Sequence, residues 1–219
     1  IQLLSEKLDG KAVIVTDMGT SFTCTMQTFK TKPGQRLSTS SGHASMGFGL
    51  PGAIGACIGN NRKDTICISG DGGLQMNIQE LQTIVHYNLP IKLFVLNNNG
   101  YLTIKATQQN HFGRFVGAEQ SSGVTCPDII KIATAYGLPN TRIANTEELN
   151  LKIDSVLQTP GPIVCEIIME ENQPLIPRVS SLKKPDGTII SKPIEDLFPF
   201  LSREEFFENM IVDPTEVLK

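Results

Sequence analysis

The chain predicts an α/β fold, a doubly wound and mostly parallel sheet with helices on both faces. Two features carry that prediction. Residues 12–16 (AVIVT), 65–69 (TICIS), 91–96 (IKLFVL) and 163–169 (IVCEIIM) are short and apolar or β-branched almost throughout, as strands buried on both faces are. Longer stretches with helical periodicity alternate with them, and that alternation marks βαβ units. At 219 residues, 40% hydrophobic and 19% charged, the chain is long enough for one globular domain with an appendage.

In chain order, residues 1–10 form an amphipathic stretch that reads as a cut edge, with no initiator Met and no signal pattern. After the strand at 12–16 comes residues 46–59 (MGFGLPGAIGACIG), where Gly47, Gly49, Gly52, Gly55 and Gly59 oppose helix formation by propensity. This segment is either a loop or a small-residue helix whose backbone lies against a ligand or partner element. Beyond the strand at 65–69, Leu74, Ile78, Leu81, Ile84 and Val85 make one apolar stripe and predict a helix over 74–87. Residues 127–136 start with Pro127 at a helical N1 position and stop at Gly137. A weaker strand covers 141–143, and a helix over 146–157 takes Thr146 as its cap, with no Glu to complete a capping box. Past Glu170 the chain turns polar and proline-punctuated, with one helical signal after Ser202. The expected division is a domain over 1–176 and a tail with one short helix over 177–219.

Nineteen basic against 22 acidic residues give a formal charge of −3, so charge draws neither nucleic acid nor an anionic membrane. The apolar runs at 92–96 and 162–169 are well short of the roughly 18–20 residues that a membrane helix needs. Cys24, Cys57, Cys67, Cys126 and Cys165 are scattered, odd in number and never in a CxxC. That usage fits small buried thiols in a reducing compartment, the cytoplasm, better than disulfides or zinc.

The chemistry concentrates where the second strong strand meets its helix, at Ser69-Gly70-Asp71-Gly72-Gly73. Glycines at such a turn let backbone N–H groups approach an anion, and the helix dipole adds to the attraction. Asp71 would repel a bare phosphate, so a divalent cation between them is implied, with oxygen ligands and octahedral geometry as Mg²⁺ demands. The next strand ends in Asn97-Asn98-Asn99-Gly100, whose carboxyl end belongs beside that of the 65–69 strand, where open sheets bind ligands. No GxxxxGK[ST] occurs and no GxGxxG follows a strand in the required position, so nucleotide hydrolysis and NAD binding have no warrant.

These residues resemble a known family. GDG, then 24 residues, then NN is similar to the cofactor motif of thiamine-diphosphate-dependent enzymes, and residues 45–56, the GDGGLQMNIQEL segment and Thr159-Pro160-Gly161-Pro162 resemble the C-terminal domain of the acetolactate synthase group. The resemblance covers about residues 1–177. It implies thiamine diphosphate and Mg²⁺ as cofactors, with Asp71, the Asn98 side chain and the Gly100 carbonyl as metal ligands. Gly70, Gly72 and Gly73 would bring the backbone to the diphosphate, with Thr20 and Ser21 as its other contacts. Met46 would prop the cofactor in its bent form, the Ala44 carbonyl and Met46 N–H would meet the pyrimidine, and Tyr101 would line the site.

The same resemblance implies a three-domain subunit of which this chain is the third, working as a homodimer or homotetramer. A glutamate of the neighbouring subunit's pyrimidine-binding domain would activate the cofactor, so no catalytic residue is expected here and the isolated chain should bind without turnover. Glu80 and Glu119 are not its substitutes. A flavin (FAD) would enter only through an absent domain. The group generally carries a Trp past the asparagines that shapes the acceptor pocket; this chain has no Trp, and Thr107 stands near that position, with Tyr101, Lys105 and His111 as pocket or lid candidates. Three readings share these residues: a carboligase acting on 2-oxo acids, another decarboxylase or lyase with the same cofactor, and a cofactor-binding subunit inactive without its partner.

Overall fold

A computed structural model describes residues 1–183 and 186–212. They fall into two compact units, residues 1–173 and a second unit beginning at Pro174. The first runs α1 (Gln2–Lys7), β1 (Val13–Thr16), α2 (Thr20–Thr28), β2 (Arg36–Ser38), α3 (Gly49–Gly59), β3 (Thr65–Gly70) and α4 (Asp71–Leu74). A 3₁₀ segment (Gln75–Glu80) leads into α5 (Leu81–Tyr87), β4 (Ile91–Asn97), α6 (Leu102–Phe112), α7 (Ile129–Ala135), β5 (Asn140–Ile143), α8 (Thr146–Gln158) and β6 (Ile163–Ile168).

The six strands form one sheet in the order β2-β1-β3-β4-β6-β5, every pair parallel. Alternate side chains of each strand leave by opposite faces, so the strands build two cores. Val15, Cys67, Leu93, Val95 and Val164 meet Leu50 and Ala53 of α3, Leu81 and Ile84 of α5 and Ile129 of α7 on one face. Ile14, Ile66, Ile68, Phe94, Leu96 and Cys165 meet Leu4 of α1 and Ile153 and Val156 of α8 on the other. The predicted fold class is therefore the observed one. The chain steps from β1 outward to β2 and then back past β1 to β3, and this reversal opens a crevice at the carboxyl ends of β1 and β3.

Several elements differ from expectation for physical reasons. The helix over 74–87 is not continuous: Leu74, Leu81 and Ile84 of its stripe are buried and Ile78 and Val85 pack against them partly buried, but Asn77 leaves helical geometry (φ −138°, ψ 32°). Its side-chain amide donates to the Gly47 carbonyl at 2.8 Å, a contact that helical spacing cannot report. Residues 49–59 do form a helix. Interior glycines cost about 1 kcal/mol each against alanine, whereas burying Leu50 and Ile54 contributes about 1.5–3 kcal/mol apiece, so packing prevails over propensity. Two helices start away from their expected places, α7 two residues later and α8 with its cap one residue earlier. Asp128, not Pro127, opens α7 by accepting the N–H groups of Ile130 and Lys131 at 3.0 and 3.1 Å. Asn145, not Thr146, caps α8, accepting from Glu148 N–H at 2.9 Å, while the Glu148 carboxylate accepts from Ala144 N–H at 3.0 Å. The edge strand β2 and the helix α2 carry no strong periodicity and were not expected.

Lys92 interrupts the apolar run of β4 yet is buried. Its ammonium donates to the carbonyls of Thr159 and Gly161, which ties the Thr159-Pro160-Gly161-Pro162 loop to the start of the strand. All five cysteines are free thiols.

In the second unit, β7 (Ser181–Lys183) and β8 (Ile189–Ser191) form an antiparallel hairpin that the sequence did not announce. Helix α9 (Arg203–Glu208) starts at Ser202 as expected, the Ser202 hydroxyl oxygen accepting from Glu205 N–H at 3.2 Å. Asp196 is buried between the forked guanidinium of Arg203, at 2.8 and 2.9 Å, and the Lys192 ammonium at 2.8 Å.

Candidate functional site

Three strand ends build the site. β3 stops at Gly70, and Asp71 opens α4 almost completely buried, its Oδ2 accepting the Gly100 N–H at 3.0 Å. β4 lies beside β3 with Gly70 paired to Leu96, so Asn97 and Asn98 emerge next to Asp71, as the sequence predicts. Gly100 sits at φ +150°, where a Cβ would lie 2.5 Å from the Ala118 carbonyl oxygen; only glycine fits.

The Asn98 amide faces this corner. One end lies 2.8 Å from the Gly100 carbonyl oxygen and 3.3 Å from Asp71 Oδ1, and the other 3.2 Å from Thr20 Oγ1. With no cation between them, the amide nitrogen belongs toward Gly100 and Asp71 and donates to both. Turned over, the amide oxygen joins the Gly100 carbonyl and the Asp71 carboxylate as three converging oxygens. One charged and two neutral oxygen donors suit Mg²⁺, which keeps its remaining positions for water and substrate phosphate. Among the described residues no cluster of three or more His, Cys, Asp or Glu could hold a metal instead.

A cleft of about 220 Å³ opens over these atoms. It is lined by Thr20, Ala44, Met46, Gly70, Asp71, Gly72, Gly73, Asn98, Gly100 and Tyr101, with Met18, Gly19, Leu102, Thr103 and Ile104 completing the wall. Thr20 begins α2, and Ala44 holds a left-handed φ of 52°, a strain of roughly 1–2 kcal/mol that such sites often carry. The Tyr101 ring presses on the Gly72 backbone, occupying the space where a Cβ would stand. Ser21 is outside the cleft: it is buried in α2 and its hydroxyl donates to the Met18 carbonyl at 2.9 Å. Lys105 pairs with Glu119, Thr107 donates to the Thr103 carbonyl, and His111 is exposed at the far end of α6; none of the three lines the cleft.

Burial raises the Asp71 carboxyl above the usual carboxylate range, opposed by the Cys126 thiol and by the N–H groups of Gly72 and Gly100. Burial and then the Asp71 charge push Cys126 up to about 12, so its sulfur keeps its proton at neutral pH. Tyr101 is likewise raised by burial, then by Cys126 and Asp71, and stays a neutral phenol.

One organising residue escaped the sequence reading. Asp17, directly after β1, is fully buried; its Oδ1 accepts the N–H groups of Met18 at 2.7 Å and Gly47 at 3.0 Å, and its Oδ2 accepts the Ser69 hydroxyl at 2.9 Å. It thereby ties the Met46 loop to the ends of β1 and β3. A Cβ on Gly49 or Gly73 would come within 2.8 Å of it, so those glycines make room for Asp17. The available signal was an acid at the end of a predicted buried strand.

A family model described as the thiamine pyrophosphate enzyme, C-terminal TPP binding domain, matches residues 17–167, a stretch that starts at Asp17 and contains every cleft residue named above. The chain belongs to this family. Among similar proteins, the acetolactate synthase large subunit of Cyanidium caldarium is 37% identical over 171 residues, 78% of this chain and 29% of that protein. Acetolactate synthase 2, chloroplastic, of Brassica napus is 35% identical over 187 residues, 83% of this chain and 29% of its own length. The large subunit of Pyropia yezoensis is 35% identical over 195 residues, covering 88% and 32%. The chain thus spans about three tenths of these relatives, as their C-terminal cofactor-binding domain. Among the described residues no helix is long and apolar enough to cross a membrane.

Proposed function

We propose that this thiamine-pyrophosphate-binding domain holds its cofactor through Mg²⁺ at Asp71, Asn98 and Gly100, and serves an acetolactate synthase-like enzyme acting on 2-oxo acids. The observation that carries the reading is the convergence of Asp71 Oδ1, the Asn98 amide and the Gly100 carbonyl within 3.3 Å at the mouth of the cleft. When bound, the cofactor supplies an electron sink for cleavage beside a carbonyl. The chain's own residues do the rest. Asp71 supplies the charge that draws the cation, Gly72 and Gly73 bring backbone close to the diphosphate, and Thr20 fixes the far end of the Asn98 amide. Met46 and Ala44 form the wall that the pyrimidine would meet, and Tyr101 with Leu102 lines the cleft beside the metal corner.

The reading places the activating carboxylate on a pyrimidine-binding domain of a neighbouring subunit, in a homodimer or homotetramer. Supporting this, Glu80 is engaged by Thr83 and Glu119 by Lys105, and neither lines the cleft. Met46, Ile58 and Met76 are 39%, 50% and 49% exposed, apolar surface suited to a partner. The isolated chain then binds cofactor and does not turn over. One feature favours the second reading, another decarboxylase or lyase on the same cofactor: the chain has no Trp, and Thr107 is exposed on α6. Acceptor choice lives in such walls, not in the metal corner.

The test is calorimetric titration of thiamine diphosphate, with and without Mg²⁺, into the wild type and Asp71→Ala. Metal-dependent heat in the wild type that disappears in the variant is expected; equal binding by both removes Asp71 from the site.

A further inference from the structure

Sequence motifs account for Asp71, Asn98 and Gly100 but not for what aims them. Asn98 and Gly100 lie in a four-residue turn with Asn99 at φ +61°, a region asparagine tolerates, and the Asn99 side-chain amide donates to Glu171 Oε1 at 3.0 Å. The anchor on the sheet side is Asn97, the last residue of β4. The Asn97 Oδ1 accepts the Asn99 N–H at 2.9 Å, closing the turn, and its amide nitrogen donates to Glu166 Oε1 at 2.6 Å. Glu166 stands on β6 in register with Val95, so its side chain leaves by the same face as Asn97, two residues along β4. It is fully buried, and its second oxygen accepts from Arg142 Nε at 2.5 Å. Arg142 lies opposite Glu166 on β5 and reaches Asp128 at 3.2 Å on its outer side.

We propose that Glu166 is a positioning residue for the metal corner: its buried carboxylate, neutralised by Arg142, fixes the Asn97 amide so that the following turn presents the Asn98 side chain and the Gly100 carbonyl to the cation. The inference rests on the Mg²⁺ reading above. A purely structural role explains the arrangement poorly, because burying the Glu166 carboxylate against a half-exposed arginine costs desolvation that an apolar side chain at the same place would avoid. Here the carboxylate also determines which way the Asn97 amide faces. With its nitrogen engaged by Glu166, its oxygen is left for Asn99, whereas an unrestrained amide could rotate and release the turn.

The experiment measures the Mg²⁺ concentration giving half-maximal thiamine diphosphate binding by calorimetry, alongside the thermal midpoint without ligand. Glu166→Ala and Asn97→Ala should each raise that concentration about tenfold or more, the size of effect seen when outer-shell partners of a metal are removed. The double variant should go no further than either, as expected of residues acting through one contact. Val164→Ala, a buried truncation in the same strand, should lower the thermal midpoint and leave the Mg²⁺ requirement within about twofold. Asn97→Ala, at a half-buried position, carries the test alone should Glu166→Ala not fold. A Mg²⁺ requirement in Asn97→Ala equal to the wild type's, or raised equally in Val164→Ala, overturns the positioning role while the cofactor reading stands. Absence of any metal-dependent binding in the wild type overturns both.

Discussion

At the scale of residues, the site depends on buried carboxylates with different tasks. Asp71 carries its charge toward the cleft, while Asp17 and Glu166 spend theirs on the protein's own donors. Asp17→Ala would strand three of them, the N–H groups of Met18 and Gly47 and the Ser69 hydroxyl. Each unsatisfied buried group costs about 1–3 kcal/mol, and ordered water could repair some of that loss. A thermal midpoint lower by roughly 5 °C or more is expected, at about 2–4 °C per kcal/mol for a chain of this size. Scanning calorimetry checks it, and an unchanged midpoint would show that Asp17 organises nothing. Of these three acids, the sequence marks only Asp71, because glycines flank it at a strand-to-helix turn. Asp17, just past one apolar strand, and Glu166, inside another, show no role until their partners, 52 and 69 residues away, are seen.

At the scale of elements, α3 shows packing and propensity dividing one helix. Gly49 has Asp17 against it, with a Cβ placed 2.8 Å from the Asp17 Cβ, whereas Gly55 has nothing within 4 Å. Gly55→Ala should therefore raise stability by about 0.5–1 kcal/mol through propensity alone. Gly49→Ala should lower it by about 1–3 kcal/mol through overpacking. Paired urea melts would read the two signs, and the same sign for both would refute the division. The kink at Asn77 has the same origin. The apolar stripe over 74–87 correctly names residues that pack on the core, three of them buried and Ile78 and Val85 partly so, whereas the break falls at Asn77, whose side chain is tied to the Gly47 carbonyl.

At the scale of the whole molecule, both apolar clusters are built from residues no later than Met169, and the six-stranded sheet is complete at Ile168. The second unit has its own polar centre, Asp196 between Arg203 and Lys192. A chain ending at Gln173 should accordingly keep one cooperative thermal transition by circular dichroism. Loss of cooperativity in that truncation would mean that the sheet depends on residues beyond Gln173.

Taken alone, the sequence determined the fold class, the four central strands, the glycine turn at 70–73 and the asparagine turn that follows β4 beside it. These are written in local periodicity and in residues whose chemistry has few other uses. Tertiary structure decided the strand order, the place of β2 on the edge, the exclusion of Ser21 from the cleft and the anchoring of the loops by Asp17 and Glu166. Each of those depends on groups that only folding brings together. A hydrogen bond or a close backbone approach across dozens of residues leaves no periodic trace along the chain that makes it.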